Sequence, residues 1–211
     1  MARARAPPRP GERRRAIEAR PAPAKLPLFP LQTVLFPGGR LPLRIFEKRY
    51  MDMARACLRD GSPFGVCLIR EGSEVGEPAL PVEVGTLARI AAWDMEQLGV
   101  LQVVALGERR FRILERHLEP DGLARAQVEL LAEEADAPVP ASCTASVRLL
   151  EQVLSGHAAL FEPPYRLDSS AWVGARLAEI LPLPLAEKQA LLEMGDAAQR
   201  LSRLNALVAG A

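Results

Sequence analysis

Two histidines and three cysteines are the side chains with the widest chemical range here, and their spacing limits what they can do. His117 falls near the end of a strand-like run. His157 falls on the apolar stripe of a helical run, where a hydrogen-bonded core or boundary imidazole is the expected arrangement. Neither belongs to a motif, so a catalytic triad or a zinc site has no support. Cys57, Cys67 and Cys143 show no CxxC spacing. Cys57 lies on an apolar helix face and Cys67 in an apolar run, so both read as small buried hydrophobes, and the odd count fits a reducing compartment. Glu133, Glu134 and Asp136 cluster in a proline-containing stretch and are expected to be solvated charges. Gly72-Ser73-Glu74-Val75-Gly76 is too generic for a phosphate loop, and no GxxxxGK[ST] run is present to wrap phosphates in backbone N–H groups. No metal or cofactor is expected.

The elements that would position any site are organised around Leu26 to Leu58. Leu26-Pro27-Leu28-Phe29-Pro30-Leu31 and Leu41-Pro42-Leu43 are extended apolar runs in which proline removes backbone donors, so each suits a sheet edge or a strand start. Phe36-Pro37-Gly38-Gly39 between them is a turn, with proline setting the first corner and glycine accepting positive φ at the second. After Phe46 the period becomes helical. Tyr50, Met53, Ala54, Cys57 and Leu58 share one face, Lys48, Asp52, Arg55 and Arg59 the other, and Gly61 is placed to end the helix.

From Phe64 to Leu131 strand follows strand: Phe64 to Ile69, Val82 to Trp93, Val100 to Leu106, Phe111 to Leu118, and an alternating run from Ala124 to Leu130. Glu119-Pro120-Asp121-Gly122 is a turn. Beyond the linker the period is helical again. Val147, Leu150, Leu154, His157 and Phe161 trace one face, so a helix is expected through much of 141–159. Asp168-Ser169-Ser170 offers N-cap oxygens for a second, stopped near Pro182. A short helix around Leu185 to Glu193 and a last one capped by Asp196 complete the chain. The expected division is a disordered basic tail at 1–24, a β domain at 25–132, a linker at 133–140 and a helical bundle at 141–211.

At 211 residues, 49% hydrophobic and 25% charged, the chain has the composition of a soluble globular protein. No apolar run approaches the ~18 residues of a membrane span, and no secretory signal is visible at the N-terminus. A cytoplasmic protein is expected. The net charge of +1 conceals an asymmetry: residues 1–24 hold seven arginines against Glu12 and Glu18, leaving the rest at about −4. A mildly acidic body lacks the basic stripe that phosphates need, which argues against nucleic acid as a partner.

The two proline-punctuated runs, LFPG at 35–38, LPLRIFEKRY at 41–50, VGTLARI at 84–90, FRIL at 111–114, AWVG at 171–174 and LPLPLAEKQ at 181–189 together resemble the N-terminal, substrate-binding domain of Lon proteases. The small bacterial proteins that consist of that domain alone are the more similar. The resemblance implies an α+β fold: a PUA-like, mostly antiparallel β-barrel or curved sheet with one early helix, followed by a C-terminal helical bundle. Complete Lon proteases add an ATPase and a Ser-Lys protease. Of the three lysines, Lys25 borders the tail, Lys48 starts an exposed helix face and Lys188 resembles a helix residue of the binding domain, so no peptidase activity is expected.

What the resemblance implies instead is capture of peptides or unfolded, apolar protein segments. The candidate contacts are Phe36, Phe46, Tyr50, Met51, Phe161 and Trp172, with Phe46 and Met51 favoured because they flank the helical stripe. Two other readings stand beside it. One is a scaffold that modulates a separate protease or stress system; the other is an RNA-binding PUA-like domain.

Overall fold

Proline placement dictates where the first two strands can lie, because a residue without an amide proton cannot sit between two hydrogen-bonded neighbours. In the computed structural model, which describes residues 25–209, β2 (Arg40–Ile45) pairs on one side only, and β1 (Leu26–Leu31) lies between two strands, one of which reaches only its Leu26 and Pro27. The expected disordered tail at 1–24 lies outside the described residues. β3 (Phe64–Glu71), β4 (Leu80–Gln97), β5 (Val100–Leu118) and β6 (Ala124–Leu130) complete a six-stranded mixed sheet. β1 runs parallel to β3, with Leu28 opposite Gly65 and Leu31 opposite Leu68, and every other pairing is antiparallel.

The sheet closes because β6 pairs with both β5 and β1, which makes a ring of β1, β3, β4, β5 and β6. The 19-residue β5 gives one edge to β4 and divides the other. Its first half takes β2 and its second half takes β6.

Strand alternation sorts the core. Leu26, Leu28, Cys67, Leu87, Phe111 and Ala126 form one buried cluster, whereas Phe29, Leu31, Phe64, Val66 and Ala88, one residue out of phase, join another. The Phe111 ring fills the first so closely that a Cβ at Gly65 would lie 2.7 Å from its tip. The second cluster is completed by α1 (Lys48–Asp60), whose Tyr50, Met51, Met53, Ala54 and Cys57 face it, and Gly61 ends the helix at φ +61°. Lys48, Asp52, Arg55 and Arg59 are exposed, as the period requires.

The third cluster belongs to the helices. A 3-10 turn at Ala141–Cys143 leads into α2 (Thr144–His157), followed by α3 (Ser170–Ile180), α4 (Leu185–Glu193) and α5 (Ala197–Ala209). Ser169 caps α3 by accepting the Trp172 N–H at 3.0 Å, and Asp196 accepts the Gln199 N–H at 3.0 Å at the head of α5. Val173 and Leu177 of α3 pack with Leu201 and Leu204 of α5 in a cluster that also takes in Phe36 and Leu68 from the β-rich half. His157, expected on the apolar stripe, is instead exposed, because α2 ends there, while Val147, Leu150, Leu154 and Phe161 of that row reach the core.

Buried arginines join the two halves. Arg110 of β5 donates to the Leu192 and Met194 carbonyls at 2.8 and 2.6 Å, and Gln189 of α4 donates to the Val84 carbonyl at 3.1 Å. Arg176 of α3 donates to the Pro37 carbonyl at 2.9 Å and pairs with Glu179 at 2.9 Å. Glu134, expected to be solvated, is nearly buried between Arg110 and Arg200, because its carboxylate is what neutralises two desolvated guanidinium groups. Asp136 is likewise engaged, with Arg166 and the Ser169 hydroxyl.

Candidate functional site

An open groove of about 310 Å³ lies where β1 and the free edge of β2 meet the start of α1. Its apolar lining comes from Phe29 and Leu31 of β1, from Leu41, Leu43 and Ile45 of β2, and from Tyr50 of α1. Local sequence explains each contribution. Alternation along β2 turns Leu41, Leu43 and Ile45 to one side and leaves Arg40, Pro42 and Arg44 exposed. Tyr50 stacks on Phe29 with ring centroids 4.2 Å apart, so the floor is two aromatic faces in contact. Burial raises the Tyr50 phenol above its ordinary value, against the opposing pull of Arg49, so the ring stays neutral across the physiological range.

Phe46 stands at the mouth. It sits in the short connection between β2 and α1, outside the periodicity of either, and is 55% exposed. Val75, 54% exposed, faces the same space from the 72–77 loop. That loop is held by Arg49 of α1, which donates to the Gly76 carbonyl at 2.7 Å, pairs with Glu47 at 2.9 Å and lies over the Tyr50 ring at 4.8 Å. On the same wall Glu74 accepts the Gln32 N–H at 2.5 Å.

The six aromatic and methionine side chains singled out by sequence do not form one site. Phe46 and Tyr50 come together at the groove. Met51 is buried beside Tyr50, because α1 sinks into the second cluster deeply enough to cover the flank of its stripe as well as the centre. Phe36 is fully buried against the helices, since the turn it opens is clasped by α3. Phe161, also buried, and the half-buried Trp172 meet each other at 6.4 Å in the helical half. Of the groove's lining, the sequence reading missed Phe29, Leu41 and Leu43. Their alternation in proline-bearing strands was visible, but which edge would stay open depended on long-range pairing.

A second cleft, about 470 Å³, runs along the seam between β5 and the helices. Its charges are paired off: Glu134 with Arg110 and Arg200, Asp136 with Arg166, and Arg109 with Glu133 at 3.5 Å. Burial alone would raise the Asp136 carboxyl, but the Ser169 hydroxyl and Arg166 hold it below its ordinary value. This seam reads as structural cement, whereas the groove carries an exposed aromatic side chain, Phe46, at its mouth.

The three cysteines are free and buried, and burial pushes the Cys67 thiol up to about 12, far from reactive. Among the described residues no group of three or more His, Cys, Asp or Glu side chains could hold a metal ion, and no helix is long and apolar enough to cross a membrane.

Comparison with known proteins accounts for the whole described fold. The crystal structure of a Lon N-terminal domain protein from Xanthomonas campestris superposes with a TM-score of 0.72 at 38% identity, covering 86% of this chain and 97% of that one. The N-terminal domain of a Mycobacterium avium complex Lon protease shares the fold at a TM-score of 0.60 and 22% identity, covering 88% and 98%. Among curated sequences, the Lon protease of Anaeromyxobacter dehalogenans is 28% identical over 188 residues, 85% of this chain and 22% of that protein. Protein cereblon of Gallus gallus is 32% identical over 112 residues, 51% of this chain and 24% of that protein. The chain thus spans about a quarter of the length of the curated relatives it matches. Residues 25–210 match the family model of the ATP-dependent protease La (LON) substrate-binding domain, and the chain belongs to that family.

Proposed function

We propose that this chain is a non-catalytic, cytoplasmic binding module that takes up extended apolar segments of peptides or unfolded proteins in the groove beside β2. The observation that carries the reading is the coincidence of an apolar floor, Phe29 with Tyr50, and an aromatic side chain left in solvent at its mouth, Phe46. A large exposed aromatic beside a concave apolar surface gains burial only when something enters. The family's own description as a substrate-binding domain supports the same reading. A catalytic role has little to draw on. Lys48 stands in solvent in an ion pair with Asp52, and Lys188 donates to the Glu179 carbonyl at 2.7 Å.

The test is fluorescence anisotropy of a labelled apolar peptide against the wild type and Phe46→Asp. Phe46 is exposed, so its replacement should change stability by no more than about 0.5 kcal/mol, checked by thermal melting. Saturable binding weakened about tenfold or more in the variant is the expected result. Equal binding by both proteins, or none by either, would count against the groove.

A further inference from the structure

β4 and β5 outrun the rest of the sheet. Beyond Ala88, where it leaves β3, β4 pairs with β5 alone as far as Gln97, and Leu98-Gly99 turns the chain back with Gly99 at φ +85°. Every residue from Ala91 to Gly99 is exposed. Three of the ten large apolar side chains exposed among the described residues fall in this arm: Trp93 at 59%, Met95, and Leu98 at 95%. None of them belongs to a core cluster. The turn needs glycine at 99 for its positive φ, but it gains nothing from leucine at 98.

Charge gives the arm a sign. From Ile90 to Glu108 the chain holds Asp94, Glu96 and Glu108 and no lysine, arginine or histidine. Glu108 is taken by Arg89 at 2.9 Å, whereas Asp94 and Glu96 form no ion pair among the described residues. The cation in the same row as Asp94 is Arg44, which lies opposite Gln102 as Asp94 does, so two strand spacings of about 4.8 Å separate them. We infer that this hairpin arm is a second docking surface, for a protein segment that carries large apolar side chains together with Arg or Lys.

Side chains rather than main chain make the contact. Register shifts after Ile90 and after Asp94 interrupt the ladder, and the Asp94 carboxylate accepts the Met95 N–H at 2.6 Å, so the free side of the arm is blunted against an added strand. What the arm offers is an indole face on which a guanidinium or ammonium can stack, apolar surface to bury, and two carboxylates to answer the charge. A second copy is a poorer match, because two arms brought together would set like charges side by side with no cation between them. The arm is also separate from the groove beside β2. Trp93, Met95 and Leu98 do not line that groove, and its exposed rim cation is Arg44, so the two surfaces favour guests of different charge.

The experiment uses the full chain and two labelled peptides, one of alternating leucine and arginine and a counterpart with every arginine changed to glutamate, followed by fluorescence anisotropy. The arginine peptide should bind saturably and about tenfold more tightly than its counterpart, with a blue shift of tryptophan emission that is absent in Trp93→Ser. Trp93→Ser should weaken it about tenfold, and Asp94→Lys with Glu96→Lys should turn the preference toward the glutamate peptide. All three positions are exposed, so each variant should melt close to wild type. Phe46→Asp, at the groove, should leave this binding unchanged, so the two readings stand or fall separately. Equal affinity for both peptides, binding untouched by the hairpin variants, or no binding at all would overturn the site. A wild type that sediments as a dimer beside a monomeric Trp93→Ser would give the surface to a second copy of the chain and overturn the basic partner.

Discussion

Glu179 closes the junction between the LFPG turn and α3, and its ionisation should be visible in the stability of the whole protein. Its carboxylate accepts from the Phe36 N–H and pairs with Arg176, and the space it fills explains Gly39, where a Cβ would lie 1.9 Å from Oε1. Burial pushes this carboxyl from its ordinary 4.5 up to about 7, against Arg176, the Phe36 N–H and Lys188, which all favour the charged form. The folded protein therefore keeps a proton that the unfolded chain has already lost between those two values. The contribution of Glu179 is fully present below pH 4.5, declines as pH rises to about 7, and is level above it. The loss across the window is on the order of 3 kcal/mol. Urea melts at several pH values should show Glu179→Gln, which mimics the protonated carboxyl, close to wild type near pH 5, flatter across the window and gaining on wild type toward pH 7; parallel profiles would contradict the assignment. Of this residue-scale picture little was legible in the sequence. Arg49, Arg110 and Arg176 are buried on main-chain carbonyls and Arg200 on the Glu134 carboxylate, yet each looks in sequence like any solvated arginine.

At the scale of elements, the turn is clamped to β5 as tightly as to α3. The Gly38 N–H donates to the Gly107 carbonyl at 2.8 Å, and the Gly107 N–H returns a bond to the Gly39 carbonyl at 2.9 Å. A Cβ at Gly107 would lie 2.3 Å from the Phe36 carbonyl oxygen. Backbone cannot yield there without breaking the pair of bonds, so Gly107→Ala should cost about 2–3 kcal/mol in denaturant unfolding with an unchanged m-value. A loss below about 0.5 kcal/mol would show the turn to be free of β5. Local elements were readable because short-range chemistry determines them. The turn at 36–39 forms its Gly39 N–H to Phe36 carbonyl bond with Gly38 at φ +75°, Gly61 ends α1, and Gly122 closes its turn on Glu119 at 2.8 Å. What alternation could not supply was pairing partners: the parallel match of β1 with β3, and the sharing of one β5 edge by β2 and β6, depend on contacts far apart in sequence.

The whole molecule is a ring of strands that leaves one gap in its wall, with α1 beneath that gap and the helical half pinned to the middle of β5 by Arg110 and to the 36–39 turn by Arg176. The family and the α+β architecture were legible from the ordered motifs, whereas the groove was only half legible: Phe46 and Tyr50 were singled out, but Phe36, Met51 and Phe161 turn inward. Exposure is a property of the assembled surface, and a helical stripe does not show how far its flanks will be covered. Hydrogen exchange of the full chain, with and without a saturating apolar peptide, tests the central claim most directly. The account predicts slowed exchange at Leu28 to Thr33 and at Arg40 to Tyr50, the two walls of the groove, with α2 to α5 unchanged. Protection confined to the helices or to the seam along Arg110, or no protection anywhere, would contradict it.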